Sequence, residues 1–279
     1  MIVPFFSIKI YFRIRTDGIM KILCIGDIVS RVGRDMLYKY VDELKYSKGI
    51  DLVVANGENA THGRGLARDA YKELMAAGID AVTMGNHTWG AKDINAIMKY
   101  EGNVIRPINF PKNNPGEGSM IITAKNGKKV GIINAIGRVY MDPCDSPFAE
   151  VEKEVERLRE ITNIILVDFH AEATSEKEAM GYFLDGRVSA VFGTHTHVQT
   201  ADERILDGGT GYITDLGMTG PIHSVLGMDV RIIVDRFVTG LPQKFEIAQG
   251  KGQFNGCIFE IDENNGKCIG IERIFIRES

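Results

Sequence analysis

The hydrophobic pattern of the first two thirds of the chain predicts a parallel sheet with helical connections. Several short apolar runs show no apolar/polar alternation, which is typical of strands buried on both faces. Between them lie amphipathic segments with helical spacing. The predicted strands are 21–26, 50–55, 81–84, 164–167 and 188–192. The predicted helices are 35–45, 68–77, 92–100, 150–160 and 175–183. Strands that alternate with helices indicate an α/β architecture.

Turn signals predict a change to antiparallel pairing elsewhere in the chain. Asn126-Gly127 separates two apolar runs and is a strong hairpin signal. Further hairpins are predicted over 199–213 and 254–276, and further strands over 230–234 and 245–248. We expect the late strands to form a second sheet that faces the first. No linker or internal repeat divides residues 20–279, so a single domain is predicted there. Residues 1–19 are interpreted as an extension upstream of the natural start, and the alternatives are an added strand or a peripheral membrane contact.

Composition excludes several classes of protein. The chain has 279 residues, of which 44% are hydrophobic, and a net charge of −4. That length supports one large core, and the charge argues against stable binding of duplex nucleic acid. No apolar run is long enough to span a membrane. The four scattered cysteines are typical of a cytoplasmic protein without disulfides. This charge does not exclude a small nucleotide or a short RNA end as a partner, and self-association is compatible with a chain of this size.

Five predicted strands each end in side chains that can bind metal. The first three ends present Asp27, then Glu58-Asn59, then Asn86-His87, and the last two present His170 and His195-Thr196-His197. The carboxyl ends of parallel strands meet at one edge of a sheet, where ligands bind. Clustered carboxylates are costly without a cation, and imidazole nitrogens suit zinc, iron and manganese. If the last strand continues to His197, then His195 and His197 point the same way.

These residues resemble the calcineurin-like metallophosphoesterases, whose fold is a sandwich of two facing mixed β-sheets flanked by helices. The chain departs from the usual pattern of this superfamily at two places. It has Asp27-Ile28-Val29 where the pattern has D-x-H, and Asn56-Gly57-Glu58-Asn59 where the pattern has G-D-x-x-D. Both differences match one branch of the superfamily. Six motifs in order resemble the bacterial 2′,3′-cyclic-nucleotide 2′-phosphodiesterase family: GDIVSRVGR, ANGENA, GNHTW, DFHAEATSEKEA, FGTHTHVQTAD and TDLGMTGP.

The resemblance implies a binuclear metal centre and assigns its ligands. Asp27, Asn59 and His197 would bind one metal, and Asn86, His170 and His195 the other, with Glu58 between them. Iron is the metal implied, and manganese or zinc would suit the same nitrogen and oxygen ligands.

The same resemblance implies a reaction. Metal-bound hydroxide would attack the phosphorus of a 2′,3′-cyclic nucleotide, and His87 would protonate the 2′ oxygen to leave a 3′-nucleotide. An alternative for His87 is that it only supports Trp89 or the end of the sheet. Arg31, Arg34 and Arg64 could hold phosphate or simply face solvent.

Two further residues and two further functions stay open at this point. His223 could approach a bound base or phosphate, whereas His62 is interpreted as an ordinary polar residue. The same metal pair would also serve a broad-specificity phosphomonoesterase or phosphoprotein phosphatase. A third hypothesis is that the chain is a regulatory protein that acts through RNA turnover.

Overall fold

A computed structural model describes residues 18–279 of the chain. The proposed extension over residues 1–19 lies almost wholly outside the described residues. Within them, Ile19 already belongs to the first strand and pairs with Asp262.

The described chain folds into fourteen strands and six α-helices. The strands are β1 (Ile19–Ile25), β2 (Asp27–Ile28), β3 (Leu52–Asn56), β4 (Ala81–Thr83), β5 (Val104–Ile105), β6 (Ser119–Thr123), β7 (Lys129–Ile136), β8 (Ile165–His170), β9 (Ala190–Thr194), β10 (Arg204–Ile205), β11 (Gly211–Ile213), β12 (Met218–Pro221), β13 (Gly252–Asp262) and β14 (Cys268–Arg277). The helices are α1 (Ser30–Ser47), α2 (Arg68–Ala76), α3 (Ile94–Tyr100), α4 (Pro147–Arg159), α5 (Thr174–Phe183) and α6 (Val230–Thr239). A single 3₁₀ turn covers Thr88–Gly90.

The strands form two mixed sheets. The first runs in the order β2-β12-β13-β1-β3-β4-β5, with β14 also paired to β13. The second runs β10-β11-β9-β8-β7-β6. Parallel pairing joins β1, β3, β4 and β5 in the first sheet and β7, β8, β9 and β11 in the second.

Three hydrophobic cores hold these layers together. The central core lies between the two sheets and brings Ile22 and Phe259 of one sheet together with Leu166 and Phe192 of the other. A second core packs α1 to α3 on the outer face of the first sheet. A third packs α4 and α5 on the outer face of the second sheet. The predicted sandwich of two facing mixed sheets flanked by helices is therefore confirmed.

The prediction of strands over 230–234 and 245–248 is wrong. Residues 230–239 form α6 because Asp229 caps its first turn, accepting hydrogen bonds from the backbone N–H groups of Arg231 and Ile232. Gly240, with φ of 71°, ends the helix in the left-handed region. Only Ile247 in the second stretch makes a single bridge, to Met228. Apolar runs of this length fit either element, and the cap decided between them.

Two expectations about the sheets also need correction. The last hairpin, β13–β14, joins the first sheet through β1 and does not build the second. The polar strand ends do not share one sheet edge either. Those of β1, β3 and β4 belong to the first sheet, whereas β8 and β9 belong to the second. The parallel strands of both sheets end on the same side of the sandwich, so the side chains still meet.

Among residues 18–279, no helix combines the length and the apolar character that crossing a bilayer requires.

Candidate metal centre

The side chains predicted as metal ligands meet where the parallel strands of both sheets end. They leave the chain just after β1, after β3 and β4, at the end of β8 and after β9. The seven are Asp27, Glu58, Asn59, Asn86, His170, His195 and His197. Five of the strand ends thus contribute to one cluster, as the order of residues along the chain predicted.

Three of these side chains converge on the Nε2 atom of His170. Asn86 Oδ1 lies 2.8 Å from it, His195 Nδ1 lies 3.1 Å from it and Glu58 Oε1 lies 3.2 Å from it. Possible ligand atoms of Glu58, His170 and His195 all lie within 4.8 Å of one another. Two imidazoles, an amide oxygen and a carboxylate at this spacing are a donor set typical of a transition-metal site.

A second set of donors surrounds Asp27, which is completely buried. Its Oδ1 lies 3.8 Å from His197 Nε2 and 4.0 Å from His170 Nδ1, and this oxygen accepts no hydrogen bond from residues 18–279. Asn59 Oδ1 is likewise buried without a partner among the described residues. A buried oxygen without a donor is costly, so these two orphaned atoms are what a bound cation would explain.

Each of the three predicted ligand histidines has one ring nitrogen held by a partner outside the predicted ligand set and the other directed into the cluster. His170 Nδ1 lies 2.9 Å from Thr194 Oγ1, and that hydroxyl donates to Asp168, so His170 donates from Nδ1. His197 Nδ1 faces the carbonyl of Leu226 at 3.1 Å, which can only accept. In both rings this contact holds a proton on Nδ1, so Nε2 is the nitrogen that a metal would meet, in place of any proton on Nε2.

His195 uses the opposite arrangement. Its Nε2 lies 3.0 Å from a carboxylate oxygen of Glu172, and its Nδ1 faces His170. The carboxylate holds the proton on Nε2 and leaves the Nδ1 lone pair for a metal.

Asp168 connects the two sheets through hydrogen bonds next to the cluster. It is completely buried and accepts hydrogen bonds from Thr194 at 2.7 Å, Asn56 at 3.2 Å and the hydroxyl of Thr83. Burial raises the pKa of Asp168 to about 6 against these hydrogen bonds. Because Asn56 and Thr83 belong to the first sheet and Asp168 to the second, this network fixes the two sheets relative to each other beneath His170.

The charges of Glu58 and His170 depend on each other. Burial alone would raise the pKa of Glu58, but His170 outweighs it and lowers that pKa to about 2. Burial would likewise lower the pKa of His170, but Glu58 outweighs it and raises that pKa to about 9. A cation bound here would replace the proton of His170 as the partner of Glu58.

Two other histidines favour the neutral form. Burial and the neighbouring His170 lower the pKa of His195 to about 3, so its imidazole is neutral and can ligate a metal. Burial also lowers the pKa of His87. Burial raises the pKa of Asp27, against the effect of His197 and His170.

His87 lies at the rim of the cluster and touches two of its members. Its Nδ1 lies 2.9 Å from the Asn59 amide nitrogen and 3.5 Å from Glu58 Oε1. The neutral ring accepts from Asn59, whereas the imidazolium donates toward Glu58, so each charge state has a partner. In addition, the His87 backbone N–H donates to Glu58 at 2.7 Å. About a third of its side chain stays exposed, so the Nε2 edge is accessible.

The backbone around the cluster makes room for it. A Cβ on Gly85 would lie 2.4 Å from His170 Nε2 and 2.5 Å from Glu58 Oε2, so only glycine fits there. The strand does not continue to His197, so the condition under which His195 and His197 would point the same way is not met. β9 ends at Thr194, and His195 and His197 adopt φ of 99° and 64°. Their rings therefore reach different parts of the cluster.

The remaining sequence candidates lie in different surroundings. Arg34 pairs with Glu73 at 2.6 Å and donates to the carbonyl of Ala60, which makes it a structural residue. Arg31 is 84% exposed beside Asp35. Arg64 is exposed, its stem passes over Gly90, and its charge acts on His87. His62 and His223 are exposed.

Sequence reasoning missed the residues that orient the ligands. Glu172 lies two positions after His170, and Thr194 directly precedes His195, so proximity to predicted ligands was the available signal. The carbonyl of Leu226 gave no signal, because any residue type supplies one.

A scan of family models matches residues 23–274 to the YmdB-like proteins. One relative, from Bacillus subtilis strain 168, is the 2′,3′-cyclic-nucleotide 2′-phosphodiesterase. It is 49% identical over 259 residues, which cover 93% of this chain and 98% of that protein.

Two solved structures are also similar to this chain. A novel phosphatase from Mycoplasma pneumoniae superimposes with a TM-score of 0.88 at 37% identity, covering 93% of this chain and 94% of that one. A hypothetical protein from Thermus thermophilus superimposes with a TM-score of 0.87 at 41% identity, covering 93% of this chain and 100% of that one.

Proposed function

The chain belongs to the YmdB-like protein family, and we propose that it is a binuclear-metal phosphodiesterase that hydrolyses 2′,3′-cyclic nucleotides to 3′-nucleotides. The observation that carries the proposal is the cluster of lone-pair donors at the strand ends. It includes two buried oxygens, Asp27 Oδ1 and Asn59 Oδ1, that accept no hydrogen bond from the described chain.

The donors divide between two metal ions. Asp27, Asn59 and His197 would hold the first, Asn86, His170 and His195 would hold the second, and Glu58 would serve both. The orientation of the rings supports this division, since His170 and His197 direct Nε2 and His195 directs Nδ1 into the cluster. The donors are nitrogen and oxygen without thiolate, which suits iron, the metal we propose, as well as manganese and zinc.

Bound metal ions in such a site supply an activated water and neutralise charge on the phosphoryl oxygens. The residues of the chain supply the geometry and the proton. Glu58 and Asp27, both buried, place negative charge where the cations bind. His87 stands at the rim, and in its imidazolium form Nδ1 donates toward Glu58, so Nε2 can face the leaving oxygen. A proton delivered from Nε2 would complete the departure of the 2′ oxygen.

The choice of a cyclic nucleotide as substrate is supported by the Bacillus subtilis relative, which aligns over nearly the whole chain. The exposed edge of His87 beside the cluster is consistent with a leaving group that needs a proton. An ionised ribose oxygen is a poor leaving group in water, whereas activated aryl esters depart without an acid.

The test combines elemental analysis of the purified protein with hydrolysis of 2′,3′-cyclic AMP and identification of the product. About two metals per chain and a 3′-AMP product are expected. The Asp27→Asn variant should lose the first metal and the activity. A 2′-AMP product would overturn the proposed direction of ring opening, and no metal and no turnover after addition of manganese or iron would overturn the centre itself.

A second candidate is a broader phosphatase. It is favoured by the Mycoplasma pneumoniae structure, a phosphatase of closely similar fold. Parallel assays with p-nitrophenyl phosphate and 2′,3′-cyclic AMP separate the two. Turnover of the monoester alone would move the function to this second candidate and leave the metal centre in place.

A further inference from the structure

Two segments that carry none of the proposed ligands meet beneath the loop that contains His195 and His197. Lys177 comes from the TSEKEA segment in α5, and Asp215 comes from the TDLGMTGP segment after β11. Both side chains are fully buried, and Lys177 Nζ donates to Asp215 Oδ2 at 2.6 Å. Because removing two charges from water costs more than a surface pair gains, such a pair is weak evidence for stability and calls for another role.

The same carboxylate oxygen holds the residue between the two histidines. Asp215 Oδ2 accepts from the backbone N–H of Thr196 at 3.1 Å and from its hydroxyl at 2.7 Å. The other oxygen, Oδ1, accepts from the Gly217 backbone at 2.8 Å. Lys177, Thr196 and Gly217 together satisfy the carboxylate and fix its orientation.

Asp215 also holds the far end of this loop. Its backbone N–H donates to the hydroxyl of Thr200 at 2.9 Å, and its carbonyl accepts from the Thr200 N–H at 3.1 Å. The aliphatic part of the Lys177 side chain passes close to Gly193 before it reaches the carboxylate of Asp215. A Cβ added to Gly193 would lie 2.9 Å from Lys177 Cδ. The stretch from Thr196 to Thr200 is thus bound to one buried residue at both ends.

The hydrogen bonds of Asp215 to this loop matter because His195 and His197 both have unfavourable backbone φ angles. His195 and His197 have φ of 99° and 64°, a range that L residues rarely adopt. Such conformations persist where the surroundings over-determine them, and they are common at functional sites. The residue between them is the one that Asp215 holds.

We propose that Lys177 and Asp215 are positioning residues that fix Thr196 and thereby set His195 and His197 together for the two metals. This inference rests on the proposed metal centre. Its consequence is specific: since His195 belongs to one metal and His197 to the other, loosening Thr196 weakens both sites at once. By contrast, substitution of a single metal ligand would weaken mainly the binding of the one metal that this ligand holds.

The test is a Mn²⁺ titration of the metal-stripped full chain, with free Mn²⁺ followed by electron paramagnetic resonance. Thr196→Val removes one hydroxyl and keeps the shape of the side chain, so the chain should fold. We expect both affinities to fall about tenfold, as is typical when an outer partner of a metal ligand is lost. Thr196→Ser, which keeps the hydroxyl, should restore them. Lys177→Met and Asp215→Asn should give larger losses.

The matched control is Thr210→Val. Thr210 is also fully buried and its hydroxyl donates to the carbonyl of Val188 at 2.7 Å, away from the cluster. It should lower the melting temperature while leaving both Mn²⁺ affinities unchanged.

Other results would overturn the inference. The positioning role would be overturned if the wild-type chain binds two Mn²⁺ and the Thr196→Val chain binds both equally well or loses only one. The proposed function would then stay intact. Wild-type chain that binds no Mn²⁺ would overturn both.

Discussion

The Nε2 atom of His195 lies 3.0 Å from a carboxylate oxygen of Glu172, a residue on the loop that follows β8. The contact leaves Nδ1 of His195 facing Nε2 of His170 at 3.1 Å. Glu172 therefore decides which nitrogen of His195 a metal would meet, although it was not among the predicted ligands.

We expect Glu172→Ala to weaken the metal bound by His170 and His195 by about 10–100-fold, because the ring loses the partner that fixes its proton and orientation. Glu172→Gln should have a smaller effect, since an amide oxygen can still accept from Nε2. Mn²⁺ titration measures this. Glu178→Gln, which removes a half-exposed carboxylate in α5 that pairs with Arg204, is the control and should bind like wild type. Unchanged affinity in Glu172→Ala would contradict the assignment.

His87→Ala should lower kcat on 2′,3′-cyclic AMP by about 10²–10⁴-fold, because a general acid typically contributes that much. The bound metal should stay, since His87 contacts the ligands Asn59 and Glu58 without joining the convergent donors. Metal content and kcat are measured together, with the exposed His62→Ala as control. If the metal is lost along with the activity, His87 is a ligand and the acid role is wrong.

Gly85→Ala should abolish metal binding while the chain still folds. The added Cβ would lie within 2.5 Å of both His170 Nε2 and Glu58 Oε2, so one of the two ligands must move. Elemental analysis and circular dichroism measure the two effects. The comparison is Gly131→Ala in β7, where the added Cβ meets only the side chains of Leu158 and Ile165. A Gly85→Ala chain that retains full metal content would show that the cluster is looser than its distances indicate.

The hydrogen bonds of Glu154 predict a pH-dependent contribution to stability away from the site. Burial would raise the pKa of Glu154, but its bonds with Arg157 and Ser119 outweigh that and lower it. A lowered folded pKa means stability that is present above the unfolded value of 4.5 and is lost as the pH falls through the folded value.

Glu154→Gln should therefore cost roughly 0.5–1 kcal/mol of unfolding free energy at pH 7, and less near pH 4. Urea denaturation at the two pH values measures it. Glu156→Gln, in the exposed face of the same helix, should change little. A cost for Glu154→Gln that grows on acidification would contradict the sign.

Much of the fold followed from local patterns. The buried runs at β1, β3, β4, β8 and β9 and the Asn126-Gly127 hairpin are where the pattern predicted them, because strands covered on both faces need continuous apolar sequence. The family was also recognised from six motifs, and the match over residues 23–274 confirms it. Local pattern failed at α6, where an apolar run fits a strand or a helix and the Asp229 cap decides.

Which side chains stand at the strand ends depends only on where apolar runs stop, so local sequence was enough to predict them. Tertiary structure alone decided how they act. The ends come from two sheets, and only their packing brings Asp27 within 4.0 Å of His170. Contacts between residues far apart in the chain fix the ring nitrogens, as between Leu226 and His197. The ion pair between Lys177 and Asp215 joins residues 38 positions apart, and no local pattern encodes a contact of that separation.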